Sequence, residues 1–131
     1  PQIAYCSFHQ GGAYPGTGAA TETGQFQNVL NLPLPAGSQL SDYQTPWTQQ
    51  AKPFLADFNA DILLVSAGYD ANLDDPLAGM CLHPEDYGWF TQECLLLTPK
   101  ILFGLEGGYD YPTLASSVAA TIRTVYKTLK T

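Results

Sequence analysis

Three carboxylates follow an apolar run in the middle of the chain, in a pattern that could hold a metal ion or a catalytic acid. The run is Asp61–Val65, and Asp70, Asp74 and Asp75 come soon after it. A short run of Ile, Leu and Val that stops near a glycine is typical of a buried parallel strand. Open α/β sheets place their sites just beyond the carboxyl ends of such strands. The pattern therefore predicts a site here, although Asp75 taken alone is better explained as part of an Asp-Pro turn.

Two glycine-rich loops each present a tyrosine. One is the YPGTG sequence of Tyr14–Gly18, and the other is the LEGGYD sequence of Leu105–Asp110. Glycine lets a backbone turn tightly and approach a substrate, and a phenol can donate a hydrogen bond to developing negative charge. Each loop taken alone is also an ordinary turn sequence.

Taken together, these segments resemble the zinc-dependent histone deacetylase family, which also includes acetylpolyamine amidohydrolases and acetoin-utilisation proteins. The SAGYDANLDDPLAG sequence of Ser66–Gly79 is similar to the family's AGxDxxxxDPLxG segment. His9–Gly18 resembles its SxH…(F/Y)PGTG loop, and Leu105–Asp110 resembles its LEGGY loop. The resemblance implies an α/β fold, the three-layer parallel sheet flanked by helices of the arginase-deacetylase fold. Residues 1–131 would be a single domain, the C-terminal part of a catalytic domain.

The resemblance also implies a role for several residues. Asp75 corresponds to the third zinc ligand, and Tyr109 to the donor that stabilises the acetyl oxygen as it becomes an oxyanion. We expect Asp70 to bond the loop backbone rather than a metal. The glycines before Tyr109 are implied to approach the substrate; they are Gly107 and Gly108.

A second group of implied roles falls on the first part of the chain. Tyr14 would line one wall of the tunnel that takes the acylated amine. Ser7 and Phe8 match positions that help hold a structural monovalent cation. His9 is expected to be structural, and His83 to lie near the start of a helix.

Half of the family's active site has no counterpart in these residues. The family's His-His pair and Asp-x-His motif would supply the general base and two metal ligands, but only His9 and His83 occur here and neither stands in such a motif. Two hypotheses follow. The chain is part of a deacetylase acting on acetylated lysine or polyamine amines, inactive by itself and without tightly bound zinc. Alternatively, it is a stand-alone non-catalytic α/β domain that acts through association with itself or with the missing N-terminal part.

Composition limits the partners. The net charge is −7, with five basic residues in 131, so binding to nucleic acid or to an anionic membrane is not expected. The acidic surface would attract cationic amines or would only keep the chain soluble. Only 13% of residues are charged and 45% are apolar, which predicts either much interface surface or a polar, uncharged exterior. Three cysteines without CxxC spacing predict reduced thiols and a cytoplasmic location, or a nuclear one in a eukaryote.

The elements that must position these residues alternate between strands and helices. Three apolar runs predict strands at residues 3–8, 60–65 and 100–105, and the proline-broken segment 29–35 predicts an edge strand. Helices are expected from Ser41 to Phe58, split or kinked at Pro53, from Pro84, and from Pro112 to Leu129. On the last helix, one apolar face is predicted, consisting of Leu114, Val118, Ile122, Val125 and Leu129.

Overall fold

The computed structural model describes residues 1–130. It contains four strands: β1 (Tyr5–Gln10), β2 (Val29–Leu34), β3 (Leu63–Ala67) and β4 (Ile101–Leu105). It contains four α-helices: α1 (Leu40–Pro46), α2 (Lys52–Phe58), α3 (Asp86–Leu97) and α4 (Tyr111–Thr128). A π-helical turn, Trp47–Ala51, links α1 to α2.

All four strands pair in parallel, as the sequence predicts. The chain forms two compact units, residues 1–59 and the residues from Ala60 onward. In the first unit β1 pairs with β2, with Tyr5 opposite Val29. In the second unit β3 pairs with β4, with Leu63 opposite Ile101. The parallel α/β arrangement is therefore confirmed, and within the described residues it is built from two two-stranded sheets.

The helical segment of the first unit is divided, as its prolines predict. Pro46 ends α1, and Pro53 lies in the first turn of α2. Because proline lacks an N–H and its ring clashes with the preceding turn, it belongs in a first turn rather than an interior. The wider π turn between the two helices accommodates this change. The helix begins earlier than Ser41, with Gln39 as its N-cap.

The second unit follows the order β3–α3–β4–α4, and α3 packs against α4. The centre of its core is aromatic, because Tyr69 and Tyr87 are buried with ring centroids 4.8 Å apart. Asp110 is the N-cap of α4, where its carboxylate accepts hydrogen bonds from the backbone N–H and the hydroxyl of Thr113 at 3.0 and 2.8 Å. This cap ends the loop after β4 and fixes where α4 begins.

The apolar face of α4 does not become its buried face. The buried positions of this helix are Ser117, Ala120 and Thr121, whereas Ile122 is 61% exposed and Leu129 is 69% exposed. Four of the five predicted residues line one groove of about 470 Å³ with residues of β3 and β4; they are Val118, Ile122, Val125 and Leu129. They therefore share a face, as helical spacing requires, but described residues leave that face largely open.

Candidate functional site

The loops after β3 and β4 start side by side at one end of their sheet. The pairing continues past the strands, because Glu106 N–H donates to the Ala67 carbonyl at 3.0 Å and Tyr69 N–H donates to the Gly107 carbonyl at 2.9 Å. Parallel strands place their carboxyl ends at one edge. The two motifs that the sequence singled out in this unit therefore lie next to each other.

Asp75 joins these two loops through its carboxylate. Its Oδ2 accepts a hydrogen bond from the backbone N–H of Tyr109 at 2.8 Å, and its Oδ1 accepts one from the N–H of Leu77 at 2.9 Å. The residue is only 7% exposed. Charge-assisted hydrogen bonds to a buried carboxylate are stronger than neutral ones. The structure thus brings Asp75 and Tyr109 together, and Asp75 fixes the backbone from which the phenol extends.

Asp70 takes a different position, against the glycines of both loops. A Cβ added to Gly107 would lie 2.8 Å from the Asp70 carboxylate carbon, and one added to Gly68 would lie 2.8 Å from its Oδ1. Only glycine leaves room for the carboxylate there. Asp70 was expected to bond the loop backbone, but within residues 1–130 its carboxylate accepts no hydrogen bond. It is the half-buried acid of this site with oxygens left for another partner.

Tyr109 extends from this frame toward solvent. Its side chain is 52% exposed, although its backbone is held by Asp75. Gly108 precedes it with a φ of +133°, and an added Cβ would lie 2.8 Å from the Leu114 side chain and 3.2 Å from the Tyr69 Cβ. Gly108 therefore lets this loop pass closely over α4 and the loop after β3. An accessible phenol on a fixed backbone can donate a hydrogen bond to an oxyanion.

Helix α4 supports the loop after β3 with polar side chains that sequence reasoning missed. The Tyr69 hydroxyl lies 3.1 Å from Thr121 Oγ1, and the Asn72 amide nitrogen lies 3.0 Å from Ser117 Oγ. Ser117 and Thr121 are four residues apart, so they share one face of the helix. That spacing of small hydroxyl residues beside Ala120 was the available signal, and the more apolar stripe obscured it.

In the first unit, His9 connects β1 to the end of the YPGTG loop. Its Nε2 lies 3.0 Å from the Gly18 carbonyl and its Nδ1 lies 2.9 Å from Ser7 Oγ. Because a carbonyl only accepts, Nε2 donates to Gly18, and Nδ1 is bonded to the Ser7 hydroxyl. Gly18, at a φ of +88°, also lies so close that an added Cβ would be 2.7 Å from Nε2. His9 is therefore structural, as predicted.

Tyr14 stands apart from these contacts. It is 99% exposed, and its bond to Pro15 is cis. Phe8 uses its ring in the core, with centroids 5.7 Å from Tyr43 and 6.3 Å from Trp47. The Ser7 hydroxyl is hydrogen-bonded to His9 Nδ1. The roles of Tyr14 in a tunnel wall and of Ser7 and Phe8 at a cation stay predictions.

The described residues do not fit a complete zinc centre. Among residues 1–130 there is no group of three or more His, Cys, Asp or Glu side chains placed to hold a metal ion. Catalytic zinc usually takes three protein ligands. Asp70 or Asp75 could contribute one carboxylate from this part of the chain to such a site. Nor does it contain a helix long and apolar enough to cross a membrane.

Comparison with known proteins identifies the family. The family sequence model described as the histone deacetylase domain matches residues 1–125. The chain is 51% identical over 123 residues to the protein slr0245 of Synechocystis sp., covering 94% of this chain and 40% of that protein. It is 39% identical over 131 aligned residues to histone deacetylase 14, chloroplastic, of Arabidopsis thaliana, covering 94% of this chain and 31% of that protein.

Solved structures agree with this assignment. The HDA15 HD domain superposes with a TM-score of 0.88 at 34% identity, over 94% of this chain and 37% of that one. The histone deacetylase Clr3 superposes with a TM-score of 0.89 at 30% identity, over 95% of this chain and 23% of that one. These matches confirm the α/β deacetylase fold, and the chain spans less than half the length of these relatives. The chain belongs to the histone deacetylase family.

Proposed function

We propose that this chain is the C-terminal part of a zinc-dependent deacetylase domain that hydrolyses N-acetyl groups from lysine or polyamine amines. The observation that supports this most is the 2.8 Å hydrogen bond between Asp75 and the Tyr109 backbone. It unites the two motifs on which an amide hydrolase of this family would depend. In such enzymes zinc supplies a polarised carbonyl and an activated water.

Tyr109 has the role of oxyanion donor in this proposal. A donor is effective when its position is set before the reaction, since no reorganisation is then needed as charge develops. Asp75 and Gly108 set the backbone position of Tyr109, and the exposed phenol leaves its O–H free to reach a substrate. Acetylated polyamines and lysine-rich tails carry further cationic amines, and a chain with a net charge of −7 attracts such ligands.

Two carboxylates are candidates for the metal ligand of this part. The family resemblance implies Asp75 as the ligand, and each oxygen of its carboxylate keeps a second lone pair that could bind a metal. The contacts favour Asp70, because both Asp75 oxygens already accept backbone N–H bonds and Asp75 is 7% exposed. Asp70 accepts none within residues 1–130 and lies against Gly107, two residues from Tyr109. We therefore assign the ligand role to Asp70 and the anchoring role to Asp75.

Acetate release and zinc content test this proposal. The reading frame would be extended upstream of Pro1 and expressed as one protein, beside residues 1–131 alone. We expect chelator-sensitive acetate release only from the longer protein. In that protein, Asp70→Asn should remove bound zinc and Asp75→Asn should retain most of it. The reverse pattern would restore the ligand role to Asp75, and an extended protein that contains zinc but releases no acetate would reject the activity.

The second hypothesis is a non-catalytic domain that associates through its apolar surface. Leu64 and Leu102, on the paired strands β3 and β4, are 67% and 57% exposed. Exposed leucines on a two-stranded sheet indicate a surface that other protein covers. Analytical ultracentrifugation of residues 1–131 distinguishes the two hypotheses. An oligomer that persists on dilution supports the second hypothesis. A monomer that binds the separately expressed upstream segment supports the first. A cytoplasmic location is part of the proposal under either hypothesis.

A further inference from the structure

Asn72 is buried at the centre of the loop that carries both candidate carboxylates. It is 1% exposed, and its side-chain nitrogen donates to the Tyr69 carbonyl at 2.8 Å and to Ser117 Oγ at 3.0 Å. Both amide hydrogens are therefore used. An ionised aspartate has the same shape but no N–H donors, so it could donate neither hydrogen bond.

Ser117 can accept this hydrogen bond because its own proton is engaged elsewhere. It is completely buried in α4, and its hydroxyl donates to the Thr113 carbonyl at 2.7 Å. The direction of the network is thus set, from Asn72 to Ser117 and from Ser117 to the helix backbone. A side chain without a hydroxyl at position 117 would leave one N–H of Asn72 buried and unpaired, which is costly.

A second buried contact lies one turn further along α4. The Tyr69 hydroxyl is 3.1 Å from Thr121 Oγ1, and Tyr69 is 4% exposed. Tyr69 and Asn72 are thereby attached to the same helix face, and the Asn72–Tyr69 hydrogen bond closes the backbone between them. Asp70 lies inside this closed segment. Its carboxylate lies against Gly68 and Gly107.

The backbone of Asn72 extends the support to Asp75. The Asn72 carbonyl accepts the Asp75 N–H at 3.1 Å, and the flanking residues pair with Leu82 through Leu73 N–H at 2.9 Å and Leu82 N–H at 3.0 Å. One residue therefore orients Asp70 on one side and begins the turn to Asp75 on the other.

The side-chain oxygen of Asn72 indicates that this residue positions its neighbours rather than stabilises the fold. Its Oδ1 is buried and has no hydrogen-bond partner within residues 1–130. A buried acceptor without a partner lowers stability. A residue of this kind is poorly suited to stabilising the fold, and well suited to holding the Tyr69 carbonyl and the helix together at a set distance.

We propose that Asn72, acting through Ser117, is a positioning residue that holds Asp70 in the orientation needed to bind the metal. The role for Asp70 rests on the proposed function. The attachment of the Asp70 segment to α4 does not, and it can be tested in residues 1–131 alone.

Amide hydrogen exchange followed by NMR tests the attachment. The variants are Asn72→Asp, Ser117→Ala and the matched control Ser116→Ala, whose hydroxyl is exposed and bonds only to the Pro112 carbonyl of its own helix. The loop amides of Leu73, Asp75 and Leu82 should exchange about tenfold faster or more in Asn72→Asp, and several-fold faster in Ser117→Ala. The α3 amides should not change, and Ser116→Ala should resemble the parent.

The opposite results are equally clear. If all amides accelerate by one common factor, the residue contributes only to global stability and the proposal fails. If neither substitution accelerates the loop amides, the proposal also fails. Should Asn72→Asp not fold, Ser117→Ala decides, since it removes one acceptor and leaves the Asn72–Tyr69 bond in place.

The upstream-extended protein then tests the positioning role itself. Asn72→Asp should lower kcat about tenfold or more and reduce zinc retention in a chelator challenge, while KM changes little. Unchanged kcat and zinc retention would overturn the positioning role. If the extended protein shows no deacetylase activity even without substitutions, the proposed function fails. Zinc retention and amide exchange would still test the positioning role of Asn72.

Discussion

The Tyr109 loop and the Tyr14 loop contain similar residues but are held in different ways. Each is rich in glycine and presents an exposed tyrosine, 52% exposed for Tyr109 and 99% for Tyr14. The Tyr109 backbone is bound by the buried Asp75 carboxylate. The Tyr14 loop is held at its end, where His9 binds the Gly18 carbonyl. A tyrosine on the first loop is therefore preorganised within its own unit, and a tyrosine on the second is not.

This difference shows what a motif does and does not determine. Glycine makes both loops possible, but the side chains that reach in from elsewhere decide how rigid each loop is. In the second unit those side chains come from the turn after β3, 34 residues before Tyr109 in the chain. In the first unit they come from the neighbouring strand and from Glu22, whose carboxylate accepts the Gly18 and Ala19 N–H bonds. Substitutions in the two loops should therefore differ in size of effect.

The largest effect is expected from removing the Tyr109 hydroxyl. In the upstream-extended protein, Tyr109→Phe should lower kcat roughly a hundredfold or more, the usual cost of losing one oxyanion donor. Tyr111→Phe is the matched control, because Tyr111 is also a surface tyrosine, 80% exposed, two residues away. Acetate release by the three proteins is the measurement. Equal rates for the Tyr109 variant and the control would remove Tyr109 from the mechanism.

A Cβ at Gly108 should cost more stability than a Cβ at another left-handed glycine. Gly37 has a φ of +85° with nothing within 4 Å of an added Cβ, whereas Gly108 would meet Leu114 at 2.8 Å. Gly37→Ala should cost about 1–2 kcal/mol from backbone strain. Gly108→Ala should cost about 2–5 kcal/mol, because overpacking adds to the strain. Urea unfolding of residues 1–131 measures both, and similar midpoints would mean that the Gly108 contact is easily relieved.

Asp75→Asn should lower stability by about 2–3 kcal/mol, because a charged acceptor of two backbone N–H groups becomes a neutral amide. Asp74→Asn is the control, since Asp74 is the exposed neighbouring acid. Amide exchange at Tyr109 should rise in the first variant and not in the second. A stable Asp75→Asn protein with a protected Tyr109 amide would show that this loop is no better anchored than the Tyr14 loop.

The sequence predicted the strands and the parallel pairing because their residue patterns are local. Apolar runs ended by glycine or proline marked β3 and β4 within a few residues of their true bounds. The family motifs also singled out Asp75 and Tyr109. The hydrogen-bond partners of the Asp75 carboxylate could not be predicted. An aspartate that holds a turn and an aspartate that binds a metal look identical in a sequence and differ only in the groups they contact.

Helix α4 shows the physical limit of periodicity. Its apolar stripe identified a face, but burial depends on what lies opposite, and Ser117 and Thr121 are buried because Asn72 and Tyr69 bring them partners. Asn72 itself carried no pattern at all. A single buried amide is recognised only once its two hydrogen-bond partners are known, so positioning residues of this kind cannot be identified from sequence patterns.

Cys6 gives the stability of the first unit a dependence on alkaline pH. Burial raises the pKa of its thiol from 9.0 to about 11. Between these values the unfolded thiol loses its proton and the folded one keeps it, so stability falls as pH rises through this window. The loss should be up to about 2 kcal/mol, less where solvent reaches the sulfur. Cys6→Val should remove this part of the alkaline decline in urea midpoint, and an unchanged decline would mean that the Cys6 thiol is not its source.

The smallest effect is expected at His9, and it tests the weaker anchoring of the Tyr14 loop most directly. His9→Ala removes the hydrogen bonds to Ser7 and to Gly18, and half-buried neutral hydrogen bonds of this kind contribute about 0.5–1.5 kcal/mol each. Because Glu22 still holds the Gly18 and Ala19 N–H groups, the loop end should remain in place. His83→Ala is the control, because His83 is the other histidine of the chain and is exposed. A loss of several kcal/mol in His9→Ala, with none in His83→Ala, would mean that one histidine anchors this loop as firmly as Asp75 anchors the other.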